Sequence, residues 1–524
     1  MRRTVVRVGL SLGLLALLAG GLPAGASPEP VTTVGSPSVP GTMKGFALLG
    51  HTDLGNRGMN SPVAVAGKCA YVGDRSYDAK PRANAGIAIV DVSDPRRLRQ
   101  VGVIPARPDA TQRELRADAG LGLLVVEDYS PYIGSARSGG DAYSGNDLQV
   151  YDIAKDCTHP RLLSTYDFGV RAPHEFFLWK DPKHPGRVLA YVTTTIYGPD
   201  LNVIDLSNPT APRLVSVYEA PQQELSGTRD DVPASDPTAA NPSSYIHSIA
   251  VNDAGTQAFV GGWDYGTYVL DTSGLADPSG VPVMRMMGTT PLDYGANVHG
   301  NIPVPGHKYG VMVQEEYAAA GRSCPFGWLR MSDLSNPSAL KLAGAYRLPE
   351  NDCAKAKAAN GTFTAHNATP FPSVTLLTWY SGGLRAVDTT NPYKPVEAGV
   401  FVPRATAPAT YERDNRLFFA GDNNIPRTGA MWSYPVVQNG LIYVVDIDLG
   451  LYVLRYTGPH AGEVAHAAFV EGNSSPSRFT TAAPVLHRSA AATAAIAARR
   501  TPNTVRDLQP LGTLHHSTAW QWVC

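Results

Sequence analysis

Charge, cysteine and long apolar runs are all scarce in this sequence, and each scarcity excludes something. Only 17% of the 524 residues are charged, 44 Lys and Arg stand against 45 Asp and Glu, and the formal net charge is -1. No basic footprint for nucleic acid follows from such a balance. No stretch of the body carries the sustained 3.6-residue apolar period of a long helix. The one apolar run, Val8 to Leu18, is shorter than the roughly 20 residues a transmembrane helix needs, so no membrane-spanning segment is expected. Arg2, Arg3 and Arg7 precede this run, and Ala24-Gly25-Ala26 follows it. Residues 1–26 therefore read as a signal peptide, with a mature, secreted chain starting near Ser27. Arg2-Arg3 lacks the Phe-Leu of a twin-arginine signal.

Glycine and proline are plentiful instead, at 51 and 43 residues. They suit many tight turns between short strands, and an all-β fold is the expectation. A phrase then repeats: GIAIVDVSDP from Gly86, LQVYDIAKD from Leu148, LNVIDLSNP from Leu201, TYVLDTSG from Thr267, LRMSDLSNP from Leu329, LRAVDTTNP from Leu384 and IYVVDID from Ile442. The aspartates Asp91, Asp152, Asp205, Asp271, Asp333, Asp388 and Asp446 are spaced by as little as 53 residues (Asp152 to Asp205) and as much as 66 (Asp205 to Asp271). Such a unit holds four strands, a to d, which is one propeller blade. The Asp and Asn of each turn are expected to accept hydrogen bonds from nearby backbone amides. The seventh unit has no fourth strand of its own, and Phe46-Ala-Leu-Leu-Gly-His-Thr-Asp53 is expected to supply it from the N-terminal end. The expected architecture is a seven-bladed β-propeller over 43–457, closed by that N-terminal strand, with a low-complexity, mostly disordered tail over 460–524.

The phrases resemble those of LVIVD-repeat propellers, most closely at Gly86 to Pro95 and from Trp379 to Pro403. The resemblance implies the propeller fold and leaves the activity open, since a fold does not fix a chemistry.

In a propeller the b–c and d–a connections emerge on one face. Ser130–Asn146 and Ala318–Phe326 are b–c connections, and Ala220–Ser244, Pro349–Gly361 and Ala405–Ala430 are d–a connections, so all the long loops share a face. The same sorting pairs Cys69 with Cys157 on the opposite face and Cys324 with Cys353 on the long-loop face, leaving Cys524 over. Two disulfides would suit an oxidising compartment.

His174, His247, His299 and His366 open strand a of blades three to six and would ring the mouth of the central channel. Ends of strand b bring Asp74, Glu127, Asp128, Asp264, Glu315 and Glu316 to the same face. Blades one, two and seven offer Asn60, Gln112 or Arg113, and Trp432 in place of histidine. Imidazole with carboxylate suits a transition metal such as copper, iron or zinc. Selenium-binding-type oxidases and carotenoid-cleaving oxygenases, propellers with axial histidines, are similar in outline. Two functions remain open. One is a binding or scaffold protein that takes a protein, peptide or small-molecule partner on the long-loop face. The other is a metal-dependent oxidoreductase with the four histidines as ligands. No Gly-x-Ser-x-Gly elbow, Walker loop or zincin spacing is present.

Overall fold

Each repeat folds as an antiparallel sheet because its apolar strands need cover on both faces, and only neighbouring sheets in a ring provide it. The computed structural model describes residues 31–75, 85–107, 110–129, 145–169, 171–194, 200–220, 246–263, 266–290, 297–316, 326–359, 361–404 and 429–472. Blade four shows the pattern: strands Ile246–Val251, Gln257–Gly262, Gly266–Asp271 and Arg285–Thr289 pair in sequence order. The first three are almost wholly buried, whereas the outer strand is half exposed. Continuous burial of this kind marks a strand packed on both faces. Packing between blades is specific. Trp179 of blade three is fully buried and donates from Nε1 to the Asp253 carbonyl of blade four at 3.0 Å. Gly255, at φ +72°, completes that turn, and a Cβ there would lie 2.3 Å from the indole.

The repeated aspartates are turn formers. Asp91, Asp152, Asp205, Asp271, Asp333 and Asp388 each accept from the backbone amide two residues on, at 2.9–3.0 Å. A second Asx turn follows directly at Asp94, Asp156, Asn208, Asp277, Asn336 and Asn391. The seventh copy needs correction. Leu441–Asp446 is strand b of blade seven, and strand c is Gly450–Tyr456. Asp446 is fully buried and accepts from the amides of Asp448 and Leu449, so it shapes a b–c turn. Both strands are buried and carry the same aliphatic-Tyr-Val-aliphatic phrase, Ile442-Tyr443-Val444-Val445 and Leu451-Tyr452-Val453-Leu454, which is why the sequence confuses them.

Phe46–Thr52 pairs antiparallel with Gly450–Tyr456 and closes the ring as the fourth strand of blade seven. The ordered ring reaches further at both ends than the expected 43–457. Val31–Val34 runs parallel to the outer strand of blade five, and Met43–Lys44 pairs with that of blade six. Between them, fully buried Arg385 donates to the Ser36 carbonyl at 2.9 Å and to Ser38 Oγ at 2.9 Å while pairing with Glu397 at 2.8 Å. At the other end, Ala461–Ala465 is a short helix and Phe469–Val470 pairs with strand a of blade seven, Val436–Gln438, on its axial side. This segment had been expected to belong to the tail. It lies instead in the channel, where its pairing partners are.

Cys69 and Cys157 form a disulfide between blades one and two. Cys324, the partner expected for Cys353, and the expected signal peptide and Cys524 lie outside the described residues, as does the tail from 473. No helix among the described residues is long and apolar enough to cross a membrane. The disulfide encloses a chain separation of 88 residues, and Cys157→Ser is expected to lower stability by about 2–4 kcal/mol. Urea unfolding of the two proteins, each with and without reductant, checks this; equal midpoints would refute it.

Candidate metal centre

Strand a would normally alternate its side chains between the two neighbouring blades. In blades one to five it carries a bulge near its start, shown by register shifts at Asn60/Val63, Gln112/Glu114, Pro173/Phe176, Ile246/Ser248 and Val298/Gly300. A bulge inserts one unpaired residue and re-aims side chains. The inserted positions are Ser61, Arg113, His174, His247 and His299. His366, just before strand Ala368–Pro370, continues the series.

These residues meet around the axis. Ser61 Oγ lies 3.0 Å from Ser433 Oγ. Arg113 Nη2 lies 2.8 Å from His174 Nδ1, and His174 Nε2 lies 2.8 Å from His247 Nε2. The ring centroids of His174 and His247 are 4.2 Å apart, those of His247 and His299 4.1 Å, and those of His299 and His366 4.1 Å. All four imidazoles are at least 95% buried. The mouth of the channel expected from the sequence is therefore a packed cluster.

Two carboxylates complete it. Glu315 Oε1 lies 3.1 Å from His366 Nε2, and its Oε2 lies 3.6 Å from His247 Nε2. Glu175 Oε1 lies 3.2 Å from His299 Nε2. Each carboxylate is held by a tyrosine, since Tyr434 donates to Glu175 Oε2 at 3.0 Å and Tyr380 donates to Glu315 Oε1. The potential ligand atoms of Glu175, His247 and His299 all lie within 4.8 Å of one another, and so do those of His299, Glu315 and His366. Each set is two imidazoles and one carboxylate.

Electrostatics favours ligation. Burial, joined by Arg113, holds His174 well below the ordinary imidazole range, and burial with His299 does the same to His247. Burial likewise lowers His366, against the pull of Glu315. His299 moves the other way: burial opposes its charge, but Glu175 and Glu315 outweigh burial and raise it. Glu175 and Glu315 are lowered despite burial, chiefly by His299 and by His366 respectively. His366 Nδ1 donates to the Trp432 carbonyl, so its Nε2 faces Glu315, where either a proton or a metal ion can sit between the two atoms.

The other expected acids that are described have contacts elsewhere. Asp74 sits at the seam of blades one and two, its amide donating to Gln112 Oε1 at 3.2 Å. Asp128 is buried between Gln112 and Gln149, whose side chains donate to it at 3.3 and 2.9 Å. Glu127 is buried, and burial with nearby Glu114 pushes its carboxyl well above the usual range. The backbone carbonyl of half-buried Glu316 accepts from Gly327 at 3.3 Å. Asp264 lies outside the described residues. Of the acids expected from the sequence, Glu315 lies against His247 and His366.

Glu175 was missed, because strict alternation from His174 would turn it away from the axis. The bulge brings both in. Below the cluster, Glu114 pairs with Arg116 at 2.6 Å, and Arg116 stacks over Tyr434. Beside them Glu471 is pushed up to about 8 by burial, in spite of Arg116.

The model of the LVIVD repeat matches residues 57–102 and 190–220 of this chain. No curated protein matches it. Among solved structures, it is similar to a Lactobacillus plantarum protein at 14% identity, over 62% of this chain and 79% of that one, with a TM-score of 0.41. The Swd1 propeller domain of Myceliophteria thermophila is similar at 8% identity over 78% and 98% (TM-score 0.43). Chaetomium thermophilum Sqt1 is similar at 12% over 79% and 99% (TM-score 0.44).

Burial and the neighbouring Asp147 push Asp128 up to about 7. An acid raised on folding stabilises below its unfolded value near 3.9 and loses that contribution as pH rises through the folded value. Between about pH 4 and pH 7 stability is therefore expected to fall by on the order of 4 kcal/mol from this group. Asp128→Asn should flatten the profile over that window, as read by chemical denaturation at each pH; an unchanged slope would contradict the assignment.

Proposed function

We propose that this LVIVD-repeat β-propeller holds a transition-metal ion at the mouth of its channel, with His247, His299 and His366 as imidazole ligands and Glu175 and Glu315 as carboxylates. The observation that carries the reading is the doubled arrangement of two histidines and one carboxylate sharing His299. Two histidines with one carboxylate are the ligands of non-haem Fe(II) oxygenases, and imidazole with carboxylate also accepts zinc or copper. His174 does not belong to either set. Its imidazole lies against the Arg113 guanidinium, so it orients His247 rather than ligating.

An ion here would supply Lewis acidity or, if redox-active, electron transfer. The protein's own part is to fix tautomers and exclude water. The Trp432 carbonyl fixes His366, Tyr380 and Tyr434 fix the carboxylates, and Trp263 stacks on His247 at 4.8 Å. Such outer partners are worth about 10- to 100-fold in metal affinity. The reading of a metal-dependent oxidoreductase follows if the ion is iron or copper. The alternative, a binding or scaffold protein working through its long-loop face, needs no ion. Export belongs to either reading, and the Cys69–Cys157 disulfide supports it, since such bonds persist in oxidising compartments.

Elemental analysis after purification and metal reconstitution separates the two. The expected result is about one transition-metal ion per chain. His299→Ala should lower retained metal about tenfold or more, Tyr380→Phe should weaken affinity about tenfold, and His174→Ala should keep the ion. A chain that retains no metal, or a His299→Ala variant that retains it fully, would leave the scaffold reading.

A further inference from the structure

Beneath the histidines the chain enters the channel a last time. Phe469–Val470 pairs antiparallel with Val436–Gln438 on the axial side of blade seven, Val470 opposite Val437 and Phe469 opposite Gln438. The amides of Asn439 and Gly440 donate to the carbonyls of Ala468 and Ala467 at 2.9 and 3.1 Å, and Val464, Ala467 and Val470 share a buried apolar cluster with Val437. Because the pairing is antiparallel, Glu471 and Gly472 run back toward the start of that strand, where Tyr434 sits.

Gly472 is buried and has no space for a side chain. A Cβ there would lie 2.2 Å from Tyr434 Cδ1 and 2.8 Å from both the Ala368 carbonyl oxygen and Thr369 Oγ1 of blade six. Blade six cannot give way easily, since the first of these is backbone and Thr369 Oγ1 is tied to the Pro435 carbonyl at 2.7 Å. The tyrosine ring is the part that must yield. That ring is buried, with the Arg116 guanidinium 5.0 Å from its centroid. Its hydroxyl donates to Glu175 Oε2 at 3.0 Å, and Glu175 Oε1 lies 3.2 Å from His299 Nε2. Three successive contacts therefore lead from Gly472 to His299.

We infer that Gly472 is a positioning residue of the histidine–carboxylate cluster: the bare backbone at 472 seats the Tyr434 ring so that its hydroxyl reaches Glu175. Relieving a contact of 2.2 Å to ordinary carbon–carbon separation moves the ring by about 1 Å. Such a shift takes a hydrogen bond of 3.0 Å out of its usual range. Ligating carboxylates depend on their outer hydrogen bonds. The inference rests on the metal reading for this consequence, whereas the seating of Tyr434 stands without it.

The experiment compares wild type, Gly472→Ala, Tyr434→Phe and the double variant, all as the full chain. Gly462→Ala, whose Cβ would meet nothing within 4 Å, is the control on the same segment. Metal affinity is read by competition with a chelator, and urea unfolding confirms each fold. Gly472→Ala and Tyr434→Phe are each expected to weaken affinity about tenfold, with Gly462→Ala matching wild type. The double variant should bind no more weakly than Tyr434→Phe, because both changes remove one hydrogen bond. Unchanged affinity in Gly472→Ala, or losses that add in the double variant, would overturn the inference. In metal-free protein carrying ¹³Cζ-labelled tyrosine, the Tyr434 resonance, assigned by its loss in Tyr434→Phe, should move in Gly472→Ala and stay put in Gly462→Ala. A resonance unmoved by Gly472→Ala overturns the inference whether or not metal binds. A moved resonance in a chain whose wild type takes up no metal sinks the metal reading alone. Should Gly472→Ala fail to fold, a nuclear Overhauser contact between Gly472 Hα and the Tyr434 ring of the wild type is the expected result, and its absence overturns the inference.

Discussion

The hydrogen bonds between Phe46–Thr52 and Gly450–Tyr456 join segments from opposite ends of the ring and leave no open edge between blades seven and one. An open ring would expose a whole blade face and an unpaired strand, both liabilities in water. Closure also fixes where strand a of every blade lies, since seven sheets around one axis bring seven such strands together at the centre. The cluster of imidazoles and carboxylates exists only because that circle is complete. Arg385 and its hold on Ser36 and Ser38 extend the same logic outward, tying the N-terminal segment across blades five and six.

Within the closed ring, the strand a bulge converts a structural repeat into a site. A regular strand would alternate its side chains and could not aim both His174 and Glu175 at the axis. With one extra residue inserted, His174 meets His247 while Glu175 reaches His299. The same insertion in blades one and two carries Ser61 and Arg113, so one backbone device yields an arc of imidazoles beside a serine and a single guanidinium. Burial sharpens the contrast. It disfavours the charged forms of His174, His247 and His366, and it leaves Arg75 Nε without a hydrogen-bond partner.

Much of this was legible in the residues. Aspartate turns, blade count, the closing strand, the pairing of Cys69 with Cys157 and the convergence of four histidines all follow from local chemistry plus the rule for which connections share a face. The misreading at Ile442 to Asp448 has a local cause too. Strands b and c of blade seven are both buried and share an aliphatic-Tyr-Val-aliphatic phrase, and an Asp-x-Asp turn serves either. Asp74 and Asp128 were expected at the site because they end strands on the right face. Facing the right way is not reaching the axis: the backbone of Asp74 bonds across the seam between blades one and two, and the side chain of Asp128 accepts from Gln112 and Gln149.

By itself, then, the sequence determined the repeat, its turns and which histidines would approach the axis, because hydrogen bonding over two residues and strand periodicity are local properties. Only the tertiary structure decided which acids join them. Glu175 and Glu315 were selected by a bulge and by the neighbouring blade, and Arg75 was set against Trp432 by ring closure. Phe469–Val470 was drawn from an apparently featureless tail onto the free axial edge of blade seven. Each of these depends on distances between segments far apart in the chain, which no local pattern encodes.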